Sequence, residues 1–150
     1  MLKGLNPLLN GDVLNVLRSM GHGDDLVVCD TNFPGDSVAR QTVWGRPIRM
    51  DGVSAPDAVA AVLSVMPLDS FVDFPAERME VVGEAASLPA VQVEVQAAID
   101  AAEGKPSPMG SIERHAFYAR AKQAYAVLIT GERRFYGCFV LKKGVIPPDA

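Results

Sequence analysis

Residues 21–30 read GHGDDLVVCD, and this stretch decides the fold. From Leu26 to Cys29 the chain is apolar without interruption, whereas a strand with one solvent-facing side would alternate apolar and polar residues. The run therefore predicts a strand buried on both faces, as in a sheet that is covered by helices on each side. Asp30 ends this strand, and glycines at positions 21 and 23 predict a tight loop before it.

Further strands and helices are predicted along the rest of the chain from the spacing of apolar residues. Helices are expected at Val13–Met20, Ser54–Met66, Val91–Ala102 and Arg114–Ala124, and strands at Met79–Val82, Ala126–Thr130 and Tyr136–Leu141. The last two strands are expected to form a hairpin, and residues 31–49 to be an irregular loop. We expect Asn10 or Asp12 to cap the first helix and Gly21 to close it in the left-handed conformation. Strands interleaved with helices predict an α/β fold, a single-domain layered sheet with flanking helices over residues 1–150.

Composition excludes several classes of protein. With 49% hydrophobic residues the chain of 150 residues is too apolar to be disordered as a whole. Its 14 basic and 18 acidic residues give a net charge of −4, which argues against a nucleic-acid partner. No apolar run is long enough to span a membrane, and no secretory signal opens the chain, so we expect no membrane partner and a cytoplasmic location. Cys29 and Cys138 are isolated among apolar neighbours and are predicted to be buried thiols on strands.

The pair His22 and Asp30 is the first candidate for chemistry. His22 lies between two glycines in the loop that enters the predicted strand, and its imidazole is the side chain best suited to move protons near neutral pH. Asp30 follows the same strand, at the edge where open α/β sheets bind their ligands. From spacing alone, a turn histidine and a helix-capping aspartate explain the pattern equally simply.

Two further candidates lie in the C-terminal third. Arg114 opens the last predicted helix, where it offers a forked donor to hydroxyls or carboxylates, or forms only a surface salt bridge. Around the predicted hairpin, Glu132 is followed by Tyr136, Gly137 and Cys138. A tyrosine can hydrogen-bond a polar ligand while its ring packs on an apolar sugar face, although an ordinary hairpin aromatic would fit the same pattern. No phosphate-binding loop, nucleophile elbow or metal-ligand cluster is present in the sequence.

Two long segments resemble the RbsD/FucU family of sugar mutarotases, and the fucose branch more than the ribose branch. They are residues 1–34, MLKGLNPLLNGDVLNVLRSMGHGDDLVVCDTNFP, and residues 112–147, IERHAFYARAKQAYAVLITGERRFYGCFVLKKGVIP. The resemblance implies that His22, in the MGHGD motif, is the proton donor and that Asp30, in the DTNFP motif, binds the sugar. It also implies a sugar contact for Arg114.

The resemblance places the last contacts in one triplet. Tyr136, Gly137 and Cys138 fall on a substrate-binding segment, and Tyr136 is also expected to take part in catalysis. Cys138 stands where the family usually has asparagine, and a thiol cannot supply the donor and acceptor pair of an amide.

The activity that the resemblance implies is the exchange of α and β anomers of a free monosaccharide, L-fucose or a related aldose, by general acid–base ring opening and closure. No cofactor and no metal are expected, and family members are expected to form homo-oligomers, as decameric rings. Two alternatives stay open. One is an enzyme like D-ribose pyranase, and the other is a monosaccharide-binding protein without catalysis.

Overall fold

The computed structural model describes all 150 residues and has one six-stranded sheet with helices on both faces. The elements in chain order are α1 (Gly11–Ser19), β1 (Asp25–Cys29), α2 (Gly35–Ala39), β2 (Ile48–Met50), α3 (Ala55–Leu63), β3 (Ala76–Met79), α4 (Ala90–Glu103), β4 (Gly110–Ile112), α5 (Arg114–Lys122), β5 (Ala126–Thr130) and β6 (Phe139–Lys142). The strands lie in the order β2-β5-β1-β6-β3-β4. The predicted α/β class with flanking helices is confirmed.

Strand β1 occupies the middle of the sheet and is buried on both sides, as its apolar run predicts. Leu26 and Val28 belong to a cluster of 25 buried residues that also contains side chains of α1, α3 and α4. Val27 and Cys29 belong to a cluster of 12 on the other face, with side chains of α2 and α5. Because successive side chains of a strand point to opposite faces, this division explains why all four positions are apolar.

The direction of the strands determines which loops meet. Strand β1 runs parallel to β5, β5 to β2 and β3 to β4, while β6 is antiparallel to both β1 and β3. All strands except β6 therefore end at one edge of the sheet, the carboxyl edge, and β6 begins there. The opposite, amino edge carries the loop that leads from α1 into β1.

Several predicted boundaries are wrong. The predicted hairpin does not exist, because β1 lies between β5 and β6, and the last strand begins at Phe139 instead of Tyr136. The expected irregular loop contains α2 and leads into β2, while β4 was missed because three residues carry too little periodicity. The strand expected at Met79–Val82 lies earlier, at Ala76–Met79.

The predicted helices are confirmed apart from a few residues at their ends. Side chains cap amino ends of these helices, and a left-handed glycine closes one carboxyl end. Asn10 caps α1, Ser54 caps α3 and Gly104 closes α4 with a φ of 68°. Gly21 does not close α1, because Met20 ends that helix in an extended conformation and Gly23 takes the positive φ instead. None of the helices combines the length and the apolarity that crossing a membrane would require.

Candidate functional site

A cavity of about 310 Å³ opens at the carboxyl edge and brings four of the seven candidate site residues together. Asp30 follows β1, Arg114 begins α5 directly after β4, and Tyr136 and Cys138 precede β6. All four line the cavity, and their loops meet there because these strands end or begin at the same edge. The volume is at the lower end of the range for small-ligand sites.

The carboxylate of Asp30 organises the floor of this cavity. Its Oδ1 accepts hydrogen bonds from the backbone N–H groups of Asn32 and Phe33, both at 3.0 Å. Its Oδ2 accepts from the backbone N–H of Gly137 at 3.1 Å and from the thiol of Cys138 at 3.4 Å. Asp30 is only 4% exposed, so one buried carboxylate ties the turn after β1 to the segment before β6.

Gly137 meets Asp30 at a point where no larger residue fits. A Cβ atom at this position would lie 2.8 Å from Cγ of Glu132 and 3.4 Å from Cβ of Asp30. Its neighbour Tyr136 has a φ of 62°, in the left-handed region, and is the only residue other than glycine with a positive φ. Such a conformation costs free energy and persists only where surrounding contacts hold it. The predicted triplet is therefore a fixed, strained turn.

Hydrogen-bond donors without a protein acceptor face the cavity. The backbone N–H of Val82 donates to Oη of Tyr136 at 3.2 Å, which leaves the hydroxyl hydrogen of Tyr136 free for a ligand. Nε of Arg114 donates to Oη of Tyr118 at 3.1 Å, and the guanidinium lies 5.5 Å from the ring centre of Tyr118. Arg114 forms no ion pair, so the salt-bridge interpretation is wrong and its terminal N–H groups are available.

Aromatic side chains form the walls. Phe33, Tyr118 and Phe135 line the cavity, with the rings of Phe33 and Tyr118 centred 5.4 Å apart. Aromatic faces combined with free hydroxyl and guanidinium donors suit a small cyclic molecule that has both apolar faces and hydroxyl groups. Tyr118 and Phe135 were not predicted, because an aromatic residue beside a turn carries no sequence signal that separates a ligand wall from ordinary packing.

The residue Cys138 lines the cavity, but its thiol is buried and contacts the carboxylate of Asp30. Burial and the neighbouring Asp30 carboxylate raise the pKa of Cys138 well above its ordinary value, so the thiol stays protonated. Its hydrogen is directed to Oδ2 of Asp30. Cys29, also buried and free, has a raised pKa for the same first reason, burial. Both thiols are buried as predicted, although Cys138 lies just before β6 and not within it.

Glu132, a sequence candidate for chemistry, instead forms the structural support behind Gly137. Its carboxylate accepts hydrogen bonds from Nε and Nη2 of Arg134 and from the backbone N–H groups of Arg134 and Ala55. The side chain of Arg134 and these backbone donors lower the pKa of Glu132 to about 2. Glu132 thus links the start of α3 to the turn that carries Tyr136.

This lowered pKa leads to a prediction about stability and pH. The folded state favours ionised Glu132, so its stabilising effect is present above the ordinary pKa of 4.5 and is lost as the pH falls towards 2. Glu132→Gln is expected to lower the free energy of unfolding at pH 7 by roughly 2–3 kcal/mol, with the difference from wild type shrinking between pH 4.5 and 2. Urea titrations at fixed protein concentration measure this. Glu94→Gln, which removes the exposed partner of the same Arg134, is the control and should change little. A difference independent of pH would contradict the assignment.

His22 is not part of the cavity. It lies at the amino edge, before β1, whereas Asp30 follows β1, and the five-residue strand between them spans about 17 Å. Nε2 of His22 is 3.1 Å from Oδ1 of Asp69, and its ring centre is 5.4 Å from that of Phe71. The side chain of His22 is 47% exposed. The structure thus separates the predicted proton donor from the predicted sugar-binding residues within one chain.

Asp69 was missed by the sequence analysis. It is 3% exposed, and the backbone N–H of Phe71 and the imidazole of His22 lower its pKa, so the carboxylate stays ionised beside the histidine. The two residues are 47 positions apart, and no local spacing reveals such a pair. Three other cavities are larger. Two of them, of about 460 and 440 Å³, lie along the N-terminal segment and are lined mainly by leucines and other apolar residues, and a third, of about 370 Å³, lies beside α4 and is lined in part by Arg78, Gln92 and Gln96. They contain none of the predicted site residues.

Comparisons with known proteins give a consistent result. Residues 3–146 match the RbsD / FucU transport protein family. An L-fucose mutarotase of Haemophilus influenzae (strain PittEE) is 40% identical over 147 residues, which cover 98% of this chain and 99% of the relative.

Two solved structures are similar over nearly their whole length. Protein Atu2016, for which sugar binding has been suggested, is 62% identical with a TM-score of 0.96, covering 98% of this chain and 97% of that one. The fucose mutarotase from Streptococcus pneumoniae, solved in complex with L-fucose, is 36% identical with a TM-score of 0.87, covering 97% of this chain and all of its own.

Proposed function

The chain belongs to the RbsD / FucU transport protein family, and from this premise we propose that it is an L-fucose mutarotase, an isomerase that exchanges the α and β anomers of free L-fucose. The exchange opens the hemiacetal ring, lets the aldehyde end rotate, and closes the ring on the other face. One proton is added to the ring oxygen while another leaves the anomeric hydroxyl. A correctly placed acid and base speed such a step by about 10²–10⁴-fold.

The observation that carries this proposal is the cavity at the carboxyl edge. It combines the free donors of Arg114 and Tyr136 with aromatic walls, above a floor fixed by Asp30. The guanidinium of Arg114 holds sugar hydroxyl oxygens. The hydroxyl of Tyr136 contacts the anomeric oxygen, takes its proton while passing its own hydrogen to solvent water at the cavity mouth, and reverses both transfers when the ring closes. Gly137 and Cys138, held by Asp30, form the backbone surface on which the sugar rests.

His22 reaches the sugar from a second copy of the chain. One chain cannot place its own His22 at its own cavity, because the two lie at opposite edges of the sheet. An exposed aromatic side chain lies beside His22 and another lies at the cavity. Phe71, next to His22, is 72% exposed, and Phe135, at the cavity, is 73% exposed. Large exposed aromatic residues are typical of surfaces that become buried between subunits. The two surfaces are different patches, so their contact is head-to-tail and suits a closed ring.

The contact with Asp69 determines which nitrogen of His22 reacts. Because the Asp69 carboxylate is ionised, the nitrogen that faces it, Nε2, carries the hydrogen, and Nδ1 is left for the sugar. In the imidazolium form of His22, Nδ1 carries a second hydrogen. It donates this hydrogen to the ring oxygen when the ring opens and takes it back when the ring closes. Asp69 thereby orients the imidazole.

The proposal includes a homo-oligomeric, decameric ring and a cytoplasmic location. Two buried free thiols in place of a disulfide suit a reducing compartment. Light scattering after size-exclusion chromatography measures the assembly, and cell fractionation the location. A monomer at working concentration would leave the cavity without His22.

Saturation transfer between the anomeric protons of L-fucose tests the activity by NMR, with D-ribose, galactose and rhamnose as parallel substrates. We expect the protein to accelerate exchange of L-fucose most. Faster exchange of D-ribose would favour a ribose pyranase activity. Thermal stabilisation by L-fucose without faster exchange would favour a sugar-binding protein, a possibility raised by Cys138 in place of the family asparagine.

A further inference from the structure

Gln92 is a buried amide directly behind the strained turn at Tyr136. It lies on α4 and is 1% exposed. Its Nε2 donates one hydrogen to the carbonyl oxygen of Met79 at 2.8 Å and the other to the carbonyl oxygen of Tyr136 at 3.1 Å. Its Oε1 accepts from Nη1 of Arg78 at 3.2 Å. Both hydrogens of the amide are thus used on backbone oxygens that border the cavity.

Arg78 determines the orientation of that amide. This side chain on β3 is 7% exposed and forms no ion pair with a carboxylate. Its guanidinium donates only to neutral oxygens, which are Oε1 of Gln92 and the carbonyl groups of Ala85 and Ser87. Since a guanidinium has no acceptor, the oxygen of Gln92 must face it, and the amide nitrogen must face Tyr136. Arg78 also anchors the segment 83–88 that follows Val82.

The conformation of Tyr136 depends on three contacts. Gln92 holds its carbonyl oxygen, Val82 donates to its hydroxyl, and Asp30 holds the N–H of the next residue, Gly137. A tyrosine relaxes from a φ of 62° unless its surroundings prevent it. Two of the three contacts depend on Gln92 and Arg78. Gln92 makes the first itself, and Arg78 holds the segment that follows Val82, which makes the second. Relaxation of the backbone would turn the side chain and move its hydroxyl.

We propose that Gln92, oriented by Arg78, is a positioning residue that holds Tyr136 in the left-handed conformation and thereby presents its hydroxyl to the sugar. Both residues lie within the range 3–146 that matches the family, but outside the segments 1–34 and 112–147 that carry the sequence resemblance. The effect on catalysis rests on the proposed function, whereas the effect on the position of Tyr136 does not.

Gln92→Glu tests this without removing the partner of Arg78. The new carboxylate still accepts from the guanidinium, but it cannot donate to the carbonyl oxygens of Met79 and Tyr136. Gln96→Glu is the matched control, because Gln96 lies one turn further along α4 and bonds Asp100, Ser107 and Met109. It changes the charge equally without touching the turn.

The first readout is independent of enzyme activity. The chain has three tyrosines, so 3-fluorotyrosine labelling gives three ¹⁹F signals, which Tyr→Phe variants assign. We expect Gln92→Glu to shift the Tyr136 signal, and Gln96→Glu to leave it in place. An unchanged Tyr136 signal in Gln92→Glu would overturn the proposal, whether or not the protein is a mutarotase. If Gln92→Glu does not fold, Arg78→Met, which frees the amide to rotate, is measured in its place.

The second readout is a double-mutant cycle on the rate of anomer exchange. Gln92→Glu is expected to lower kcat for L-fucose about tenfold in the wild-type background, and less than about twofold when Tyr136 is already phenylalanine. Equal losses in both backgrounds would mean that Gln92 does not act through Tyr136, and would overturn the proposal. If the wild-type protein had no exchange activity, the proposed function would be refuted. The ¹⁹F measurement would then be the only test of whether Gln92 positions Tyr136.

Discussion

Replacing His22 by alanine is expected to slow the exchange of L-fucose anomers by about 10²–10⁴-fold, the full contribution of a general acid. The fold should be unaffected, because the side chain is half exposed and its polar contact is to Asp69. Saturation-transfer NMR measures the rate, and thermal melting together with light scattering checks fold and assembly.

The chain supplies its own control for this variant. His115, the other of its two histidines, is exposed at the start of α5 and lies close to Tyr118 at the cavity. If His115→Ala abolished exchange and His22→Ala did not, the proton donor would lie on the carboxyl edge of the same chain. The shared site would then be wrong. We expect the reverse, with His115→Ala retaining most of the activity.

Replacing Asp30 is expected to remove activity by a different route, the collapse of the turn that carries Tyr136. Asp30→Asn keeps an oxygen for the N–H groups of Asn32 and Phe33 but places an NH₂ group against the N–H of Gly137. Leaving one buried N–H without an acceptor costs roughly 1–3 kcal/mol. Asp30→Ala removes the acceptor for all three backbone donors and should cost more.

Urea unfolding and L-fucose exchange, measured on the same preparations, test this order. We expect stability to fall from wild type to Asp30→Asn to Asp30→Ala, and both variants to lose most of their activity. A stable Asp30→Asn protein with weaker sugar binding but an unchanged rate at saturation would show that Asp30 is only a sugar contact and not the support of the turn.

The sequence was sufficient to predict those features that depend on the residues of a single helix or strand. The apolar run of β1 has a single explanation, burial on both faces. Helices α1, α3, α4 and α5 follow from their 3.6-residue spacing and their caps, whereas the five-residue α2 is too short for such spacing to reveal it. Asp30 could be placed at the ligand-binding edge for the same reason, since its position follows directly from the end of β1.

What the sequence could not provide is the pairing of distant segments. The insertion of β1 between β5 and β6 is a long-range choice, so a hairpin was predicted where none forms. The contacts of Asp69 with His22 and of Gln92 with Tyr136 likewise join residues that are 47 and 44 positions apart. The left-handed Tyr136 follows from no local preference, because tyrosine disfavours that conformation and only the tertiary contacts enforce it.

Mixing two inactive variants tests directly whether each site is built from two chains. His22→Ala lacks the donor, and Tyr136→Phe lacks the hydroxyl at the cavity, so each protein alone should exchange L-fucose anomers slowly. After co-expression with two different affinity tags and purification of the mixed oligomers, about a quarter of the sites should have both halves intact. We predict a recovery to about a quarter of the wild-type rate. Mixed oligomers that stay as slow as their parents would contradict the shared site.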